Sequence, residues 1–184
     1  MQIITGKFKG RKLISQPSEE TKPTLARVKE SVFCVIADEI AGSVVLDLFA
    51  GSGALGIECL SRGAKKVYFC DNSADALKYL KTNLRNITDG FEIVFADYYD
   101  AIKQIHDKFS LVILDPPYNS DFGEKALVLL AKMNMLSDGA LIVFEHSSKK
   151  CLQTIPNGCI IEKNKLYGNV AVDFVRFKGN SNGT

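Results

Sequence analysis

The run Asp47-Leu48-Phe49-Ala50-Gly51-Ser52-Gly53-Ala54-Leu55-Gly56 decides the fold. It closes the short apolar, β-branched stretch Val44–Leu48 and runs into Ala54–Leu60, which continues as a helix until Arg62-Gly63. Gly51 lets the chain turn sharply, Gly53 lets the backbone approach a ligand, and Gly56 lets the helix pack closely, while the helix N-terminus offers amides of partial positive charge. The spacing also matches the dinucleotide fingerprint G-x-G-x-x-G, so two kinds of nucleoside cofactor compete for it. Asp47 separates them. Amides aimed at a pyrophosphate gain little from a carboxylate just before the loop, whereas a methionine moiety with a cationic sulfonium tolerates one; the alternative is that Asp47 only caps the turn.

Outward from this unit the chain alternates strand and helix. Val67–Cys70, Phe91–Phe95, Phe109–Leu114 and Ala140–Phe144 read as further strands, the last announced by Asp138-Gly139. Between them, Ala74, Leu77, Leu80, Leu84 and Ile87 form one helical stripe, and a second helix is expected near Glu124–Lys132. Beyond Pro156 the pattern changes, because Ile160–Glu162 and Val170–Phe177 flank the turn signal Tyr167-Gly168-Asn169 and ask for an antiparallel hairpin. Upstream, Thr24 caps a helix from Leu25 to about Glu39, and Ile3–Thr5 with Arg11–Ile14 around glycine-flanked Lys7-Phe8-Lys9 reads as a hairpin. Nearly continuous apolar strands alternating with helices predict an α/β, Rossmann-like fold: a seven-stranded, mostly parallel sheet with a terminal antiparallel hairpin, plus a small N-terminal β-hairpin. The organisation expected is a basic hairpin and linker over residues 1–23, one main domain over 24–178, and a polar, disordered tail over 179–184.

Ligands of a doubly wound sheet sit at the C-terminal ends of its strands. Asp71, with Asn72 beside it, ends the second strand 20 residues after Gly51, where a carboxylate accepts from ribose hydroxyls. Asp97 follows the third strand, placed to accept from an adenine amino group, with Tyr98 near the ring; both acids are also common turn residues. With Asp47, Phe49, Ala50, Gly51 and Gly53, these are the candidate cofactor residues.

The fourth strand ends in Asp115-Pro116-Pro117-Tyr118. Two prolines extend the backbone and remove two amide donors, which leaves carbonyl acceptors facing outward. Acceptors without competing donors suit an exocyclic amine, whose lone pair is otherwise delocalised into its ring. If Asp115 and the Pro116 carbonyl accept its two N–H bonds, the nitrogen is drawn toward tetrahedral geometry and its lone pair is freed for in-line attack, by positioning and electrostatics. Tyr118 offers a ring on which an unpaired or flipped base stacks. The bland alternative is a proline-rich turn capping a strand.

Composition bounds the rest. The 184 residues are 46% hydrophobic, enough for one sizeable core, and contain neither a bilayer-length apolar run nor a secretory leader, so a cytoplasmic protein is expected. The five cysteines form no C-x-x-C pair and three lie in apolar stretches, which predicts reduced core thiols. His106 and His146 lack metal-ligand spacing, Glu145-His146 reads as a polar strand end, and no metal is expected. The net charge of +2 hides an asymmetry: residues 1–31 carry seven basic side chains against three acidic ones. Such a patch suits a polyanion, although a solvated basic face is the other possibility.

Asp47–Glu58 together with Asp115–Tyr118 resembles the amino methyltransferases of nucleic-acid bases. Ile3–Leu13, Lys22-Pro23-Thr24 and Arg27-Val28-Lys29-Glu30 narrow this, over almost the whole length, to the bacterial guanine-N2 methyltransferases of 16S ribosomal RNA. Members usually carry Glu where this chain has Asp71 and Asp where it has Ala26. The resemblance implies a class I methyltransferase fold, S-adenosylmethionine as cofactor, and delivery of its methyl group to the N2 of one guanine in the small subunit, on an assembling particle. Lys7, Lys9, Arg11, Lys12 and Arg27 would then hold RNA phosphates while Tyr118 receives the base. The competing functions are a DNA adenine-N6 or cytosine-N4 methyltransferase, for which there is no room for a recognition domain; a nicotinamide oxidoreductase, which leaves Asp115–Tyr118 without purpose; and a non-catalytic RNA-binding or ribosome-assembly module.

Overall fold

The computed structural model describes residues 1–15, 22–117 and 120–179, with only the backbone for residues 22–25. Tyr118, most of the linker and all of the polar tail but Gly179 therefore lie outside the described residues. The chain order is α1 (Lys22–Val35), α2 (Ala37–Ile40), β1 (Val44–Asp47), α3 (Ala54–Ser61), β2 (Lys66–Asp71), α4 (Ala74–Leu84), β3 (Phe91–Phe95), α5 (Tyr98–Gln104), β4 (Phe109–Leu114), α6 (Phe122–Lys132), β5 (Leu136–Ser147), β6 (Cys159–Tyr167) and β7 (Val170–Phe177).

The seven strands form one sheet in the order β3-β2-β1-β4-β5-β7-β6. Pairings from β3 through β5 are parallel, and β7 lies antiparallel to both β5 and β6. This is the Rossmann-like sheet with a terminal hairpin that the sequence predicts, and its order reverses beside β1, between β1 and β4. Side chains alternate across it and build two cores. Val45, Val67, Phe69, Leu111, Ile113, Leu141 and Val143 face the helices α1 to α4, while Leu46, Tyr68, Cys70, Val112, Leu114, Ile142 and Phe144 face α5 and α6. Burial on both faces explains why these strands read as unbroken apolar runs.

Several elements differ from their expected extents: α1 begins at Lys22, so Thr24 lies inside it rather than capping it, and β6 runs over Cys159–Tyr167 rather than Ile160–Glu162. α1 and α2 divide the expected helix at Ile36, which leaves helical geometry with ψ 13°. β5 begins at Leu136 because Asp138-Gly139 forms an irregularity inside the strand: Phe109 pairs with Leu136, but Leu111 pairs with Leu141, and Gly139 takes φ 76°. α5 has no counterpart in the sequence reading; seven residues show too little period to be read, and the Asp97 side chain creates it by accepting from the amides of Tyr99 and Asp100, both at 2.9 Å.

The N-terminal segment is an arm with hairpin ladder bonds rather than two regular strands. Ile3 donates to the Arg11 carbonyl at 3.0 Å and Leu13 to that of Met1 at 2.8 Å, around one isolated bridge, Gln2 to Lys12. Ile3 and Leu13 are buried in the core of the α1–α4 side. The arm is pinned by Glu58 of α3, fully buried, whose carboxylate accepts from the amides of Ile4 (2.8 Å) and Thr5 (3.0 Å) and pairs with Lys29 and Arg62, each at 2.9 Å. Burial alone would raise the Glu58 pKa; those amides and cations outweigh it and hold it below its ordinary value.

Candidate active site

The C-terminal ends of β1, β2, β3 and β4 open on one cleft of about 1070 Å³. That lies at the upper end of the range that ligand clefts span. Its walls include Asp47, Phe49, Ala50, Gly51, Asp71, Asn72, Asp97 and Tyr98, together with Asp115, Pro116 and Pro117. The proposed cofactor residues other than Gly53 and the described part of the Asp115–Tyr118 loop thus meet in a single space, as expected at a switch point.

The glycine loop is held from several sides. Ala50 donates to the Cys70 carbonyl at 2.9 Å, Gly51 to Asp71 Oδ2 at 2.8 Å, and Gly53 to the Ala50 carbonyl at 2.7 Å. Gly51 and Gly53 sit at φ 53° and 78°, which L side chains rarely adopt, and a Cβ on Gly51 would meet no atom within 4 Å, so that face of the loop is open to a ligand. Gly53 lies outside the cleft lining and starts α3 as its N-cap. Gly56 serves packing: a Cβ there would stand 2.3 Å from the Phe69 ring and 2.8 Å from Asp47 Oδ2.

Asp47, Asp71 and Asp97 each have a backbone duty as well as a place in the cleft. Asp47 is 1% exposed and accepts from the Gly56 amide at 2.9 Å. Burial pushes its pKa up to about 7, against the Gly56 bond, with the Asp71 charge adding to the rise. Asp71 accepts from Gly51 and, through Oδ1, from Ser73 at 2.8 Å, so it sets the loop that a ribose would lie against. Asp97 spends Oδ1 on the α5 cap. The Phe49 and Tyr98 rings are 6.2 Å apart, and Phe122, which the sequence did not single out, follows 5.5 Å beyond Tyr98, giving an aromatic wall along the cleft.

The acceptor loop is set by what lies behind it. Pro116 is buried and Pro117 exposed. Gly123 allows α6 to close on them, since a Cβ there would be 2.2 Å from the Phe144 ring and 2.9 Å from Pro116. The Pro117 carbonyl is not open to a substrate, because the Ser120 amide (2.9 Å) and hydroxyl (2.7 Å) both donate to it. A small pocket of mixed character lies behind the prolines, lined by Ser120, Glu124, His146 and Lys150 together with Phe144 and Leu152. His146 there has a structural partner: its Nε2 lies 2.9 Å from Asp173 Oδ2, whose other oxygen accepts from Asn164.

The proposed RNA-holding residues lie on the arm and α1, outside the cleft lining. Lys7, Lys9, Lys12 and Arg27 are exposed, whereas Arg11 is half-buried and donates to the Arg85 carbonyl at the end of α4. Sequence reasoning missed Glu145, Lys29, Met1 and Ser15 as cleft residues; the last two reach it only because the arm folds back, which no local pattern announces.

A family model described as conserved hypothetical protein 95 matches residues 1–176. Ribosomal RNA small subunit methyltransferase D of Haemophilus influenzae is 39% identical over 176 residues, spanning 93% of this chain and 91% of its own length. Among solved structures, an Escherichia coli protein described as a candidate methyltransferase, yhhF, aligns with a TM-score of 0.84 at 30% identity, covering 97% of this chain and 98% of that one. The structure of SMU.776, a candidate methyltransferase complexed with SAH, aligns with a TM-score of 0.67 at 16% identity, covering 92% of this chain and 52% of that one, a likeness of fold alone.

Proposed function

The chain belongs to the conserved hypothetical protein 95 family, with the ribosomal RNA small subunit methyltransferases D, and from that premise we propose that it methylates the exocyclic N2 amine of a guanine in 16S ribosomal RNA. Its fold is the Rossmann-like class I fold of S-adenosylmethionine-dependent methyltransferases. The observation that carries the proposal is that Asp115, Pro116 and Pro117 border the same cleft as the glycine loop, Asp71 and Asp97. A donor and an acceptor held in one space react as an effectively unimolecular pair.

The residues present fit S-adenosylmethionine. The open face at Gly51, the Asp71 carboxylate and the Phe49–Tyr98 wall suit its methionine, ribose and adenine parts in turn. When bound, it supplies an electrophilic methyl group on sulfur. Asp115 and the Pro116 carbonyl accept the two N–H bonds of the base amine, turn its lone pair toward that methyl group, and stabilise the positive charge that develops on nitrogen until one N–H proton is lost to solvent; the S–CH3 bond that breaks would leave neutral S-adenosylhomocysteine. The stacking role expected of Tyr118 falls on a residue outside the described ones. The arm, with Arg27 of α1, serves as the RNA-holding part and the sheet with its helices as the catalytic part, acting on an assembling small subunit in the cytoplasm.

Small subunits from cells lacking the enzyme, incubated with the protein and labelled S-adenosylmethionine and then digested to nucleosides, test this. The expected product is N2-methylguanosine, with Asp115→Ala folded but slower by at least about a hundredfold, the scale of losing one oriented acceptor. Label in another nucleoside, or full turnover by Asp115→Ala, refutes the assignment. Tight NADH binding without S-adenosylmethionine binding would replace it by the oxidoreductase alternative.

A further inference from the structure

Asn83, in the last turn of α4, is 4% exposed and plays no part in the chemistry above. Its side-chain amide behaves as a peptide group offered to two segments at once. Oδ1 accepts from the Ile14 amide at 3.0 Å, while Nδ2 donates to the Ile14 carbonyl at 2.7 Å and to the Ser52 carbonyl at 2.9 Å. Only this orientation of the amide satisfies all three partners, since a flip would set donors against the Ile14 N–H and an acceptor against two carbonyls.

The two segments belong to different ligands. Ser52 lies between Gly51, bonded to the Asp71 carboxylate, and Gly53, bonded to the Ala50 carbonyl, in the loop that forms the cofactor side of the cleft. Ile14 ends the arm, and its neighbours Met1 and Ser15 line the same cleft. The front of the arm is fixed to α3 by Glu58 and by Ser61, whose hydroxyl donates to the Thr5 carbonyl and accepts from the Phe8 amide at 2.9 Å. Its end is tied to α4 through Asn83, alongside its ladder bonds to Met1.

We infer that Asn83 is a positioning residue that couples the cofactor loop to the RNA-holding arm, so that an occupied loop fixes the arm and a fixed arm favours cofactor binding. The inference rests on the proposed function for the identity of the two ligands. The reason is geometric: a buried donor cannot leave Ser52 or Ile14 without going unsatisfied, so the two carbonyls hold their positions relative to one another through one rigid amide. Coupling between sites is reciprocal, so whatever the cofactor does to the arm, RNA held by the arm does to cofactor affinity.

Amide hydrogen exchange of the full chain, with and without saturating S-adenosylhomocysteine, tests this. In the wild type, ligand slows exchange both at Gly51 and Gly53 and across residues 1–15, the arm by about fivefold or more, the scale of ordinary coupling. In Asn83→Ala, ligand still slows the loop amides while the arm no longer responds. Ile14→Pro, which removes one of the arm's two bonds to Asn83 and leaves Nδ2 on the Ile14 and Ser52 carbonyls, weakens the arm's response without touching the loop, and serves should Asn83→Ala fold poorly. Val175→Ala, a core truncation in β7, serves as a destabilised control that keeps the response. Equal protection of the arm in both coupling variants, or a wild-type arm that ignores a ligand protecting its loop, overturns the inference. If wild-type loop amides ignore the ligand, the methyltransferase proposal fails instead. The ligand-free comparison then decides: Asn83→Ala must speed exchange at both Ile14 and Gly53 relative to Val175→Ala, and a change at one side or neither overturns the coupling.

Discussion

Asp47 is buried beside the cleft, and burial raises its pKa to about 7, so its carboxyl is partly protonated at neutral pH. Its folded pKa lies above the ordinary 3.8, so the stability it contributes is full below that value and is lost as pH rises toward 7. A cation bound in the cleft would favour the carboxylate and expel the proton. S-adenosylmethionine, with its sulfonium, should therefore release about half a proton on binding near pH 7, where a group at its pKa is half protonated, while neutral-sulfur S-adenosylhomocysteine releases less. Calorimetry in buffers of different ionisation heat measures this, and equal heats in both buffers would count against it; Asp47→Asn should abolish the difference. His146 makes a second titration, with no link to the chemistry. Its Nε2 faces Asp173 and its Nδ1 faces the Ser147 carbonyl at 3.0 Å, two acceptors that call for both protons. The Asp173 bond raises its pKa against the effect of burial, and Asp173 is held low by His146 and Asn164 although burial pushes the other way. The stabilising contribution is thus complete below the ordinary 6.5 and disappears as pH climbs through the raised folded value. His146→Ala should cost about 1–3 kcal/mol at pH 6 and much less at pH 9, as read by denaturant unfolding at each pH. A loss of the same size at both would mean that packing, not the charge, is what His146 supplies.

At the scale of elements, periodicity made the parallel strands and the longer helices legible, because burial on both sheet faces leaves apolar runs no solvent-side interruption. It failed where a single side chain does the work. α5 exists because Asp97 caps it, and the residue that looked like an adenine contact is first a helix cap. The carboxylates of the cleft were legible as strand-end acids, but their bonds to Gly51, Ser73 and Gly56 join residues up to 20 apart and show only in three dimensions. The arm is the largest case. Glycines and β-prone residues predicted a hairpin, yet its position depends on Glu58, more than fifty residues away, which appears in sequence as one acid in an apolar helix. Glu58→Gln would leave Lys29 buried with no full counter-charge and weaken the hold on Ile4 and Thr5. A loss of about 3–5 kcal/mol is expected, the scale of breaking a buried pair, with residues 1–15 becoming the first site of proteolysis. Cleavage beginning elsewhere at unchanged stability would show that the arm is held mainly by Ile3 and Leu13.

Across the whole molecule, charge and chemistry are separated in a way the modest net charge of +2 conceals. The cleft walls carry Asp47, Asp71, Asp97 and Asp115, a setting that favours a cationic cofactor and repels phosphates, while exposed Lys7, Lys9 and Lys12 sit on the arm. Under the proposed function, an RNA backbone would be drawn to one side of the cleft and kept off its floor, which would leave the floor to the cofactor and a single extruded base. Such contacts set affinity through counterion release and carry little base information. Replacing Lys7, Lys9 and Lys12 together by Ala should flatten the plot of log affinity for the RNA substrate against log salt by about 2, at roughly 0.7 per lost phosphate contact to single-stranded RNA. The affinity for S-adenosylhomocysteine should stay within about twofold, because these side chains are exposed and lie outside the cleft lining. Arg11 is left in place because its guanidinium already serves the Arg85 carbonyl, so its loss would mix unfolding of the arm with loss of charge. A slope unchanged by the triple substitution would move the RNA-holding surface off the arm, and a collapse of cofactor binding would show that these lysines hold the arm rather than the RNA.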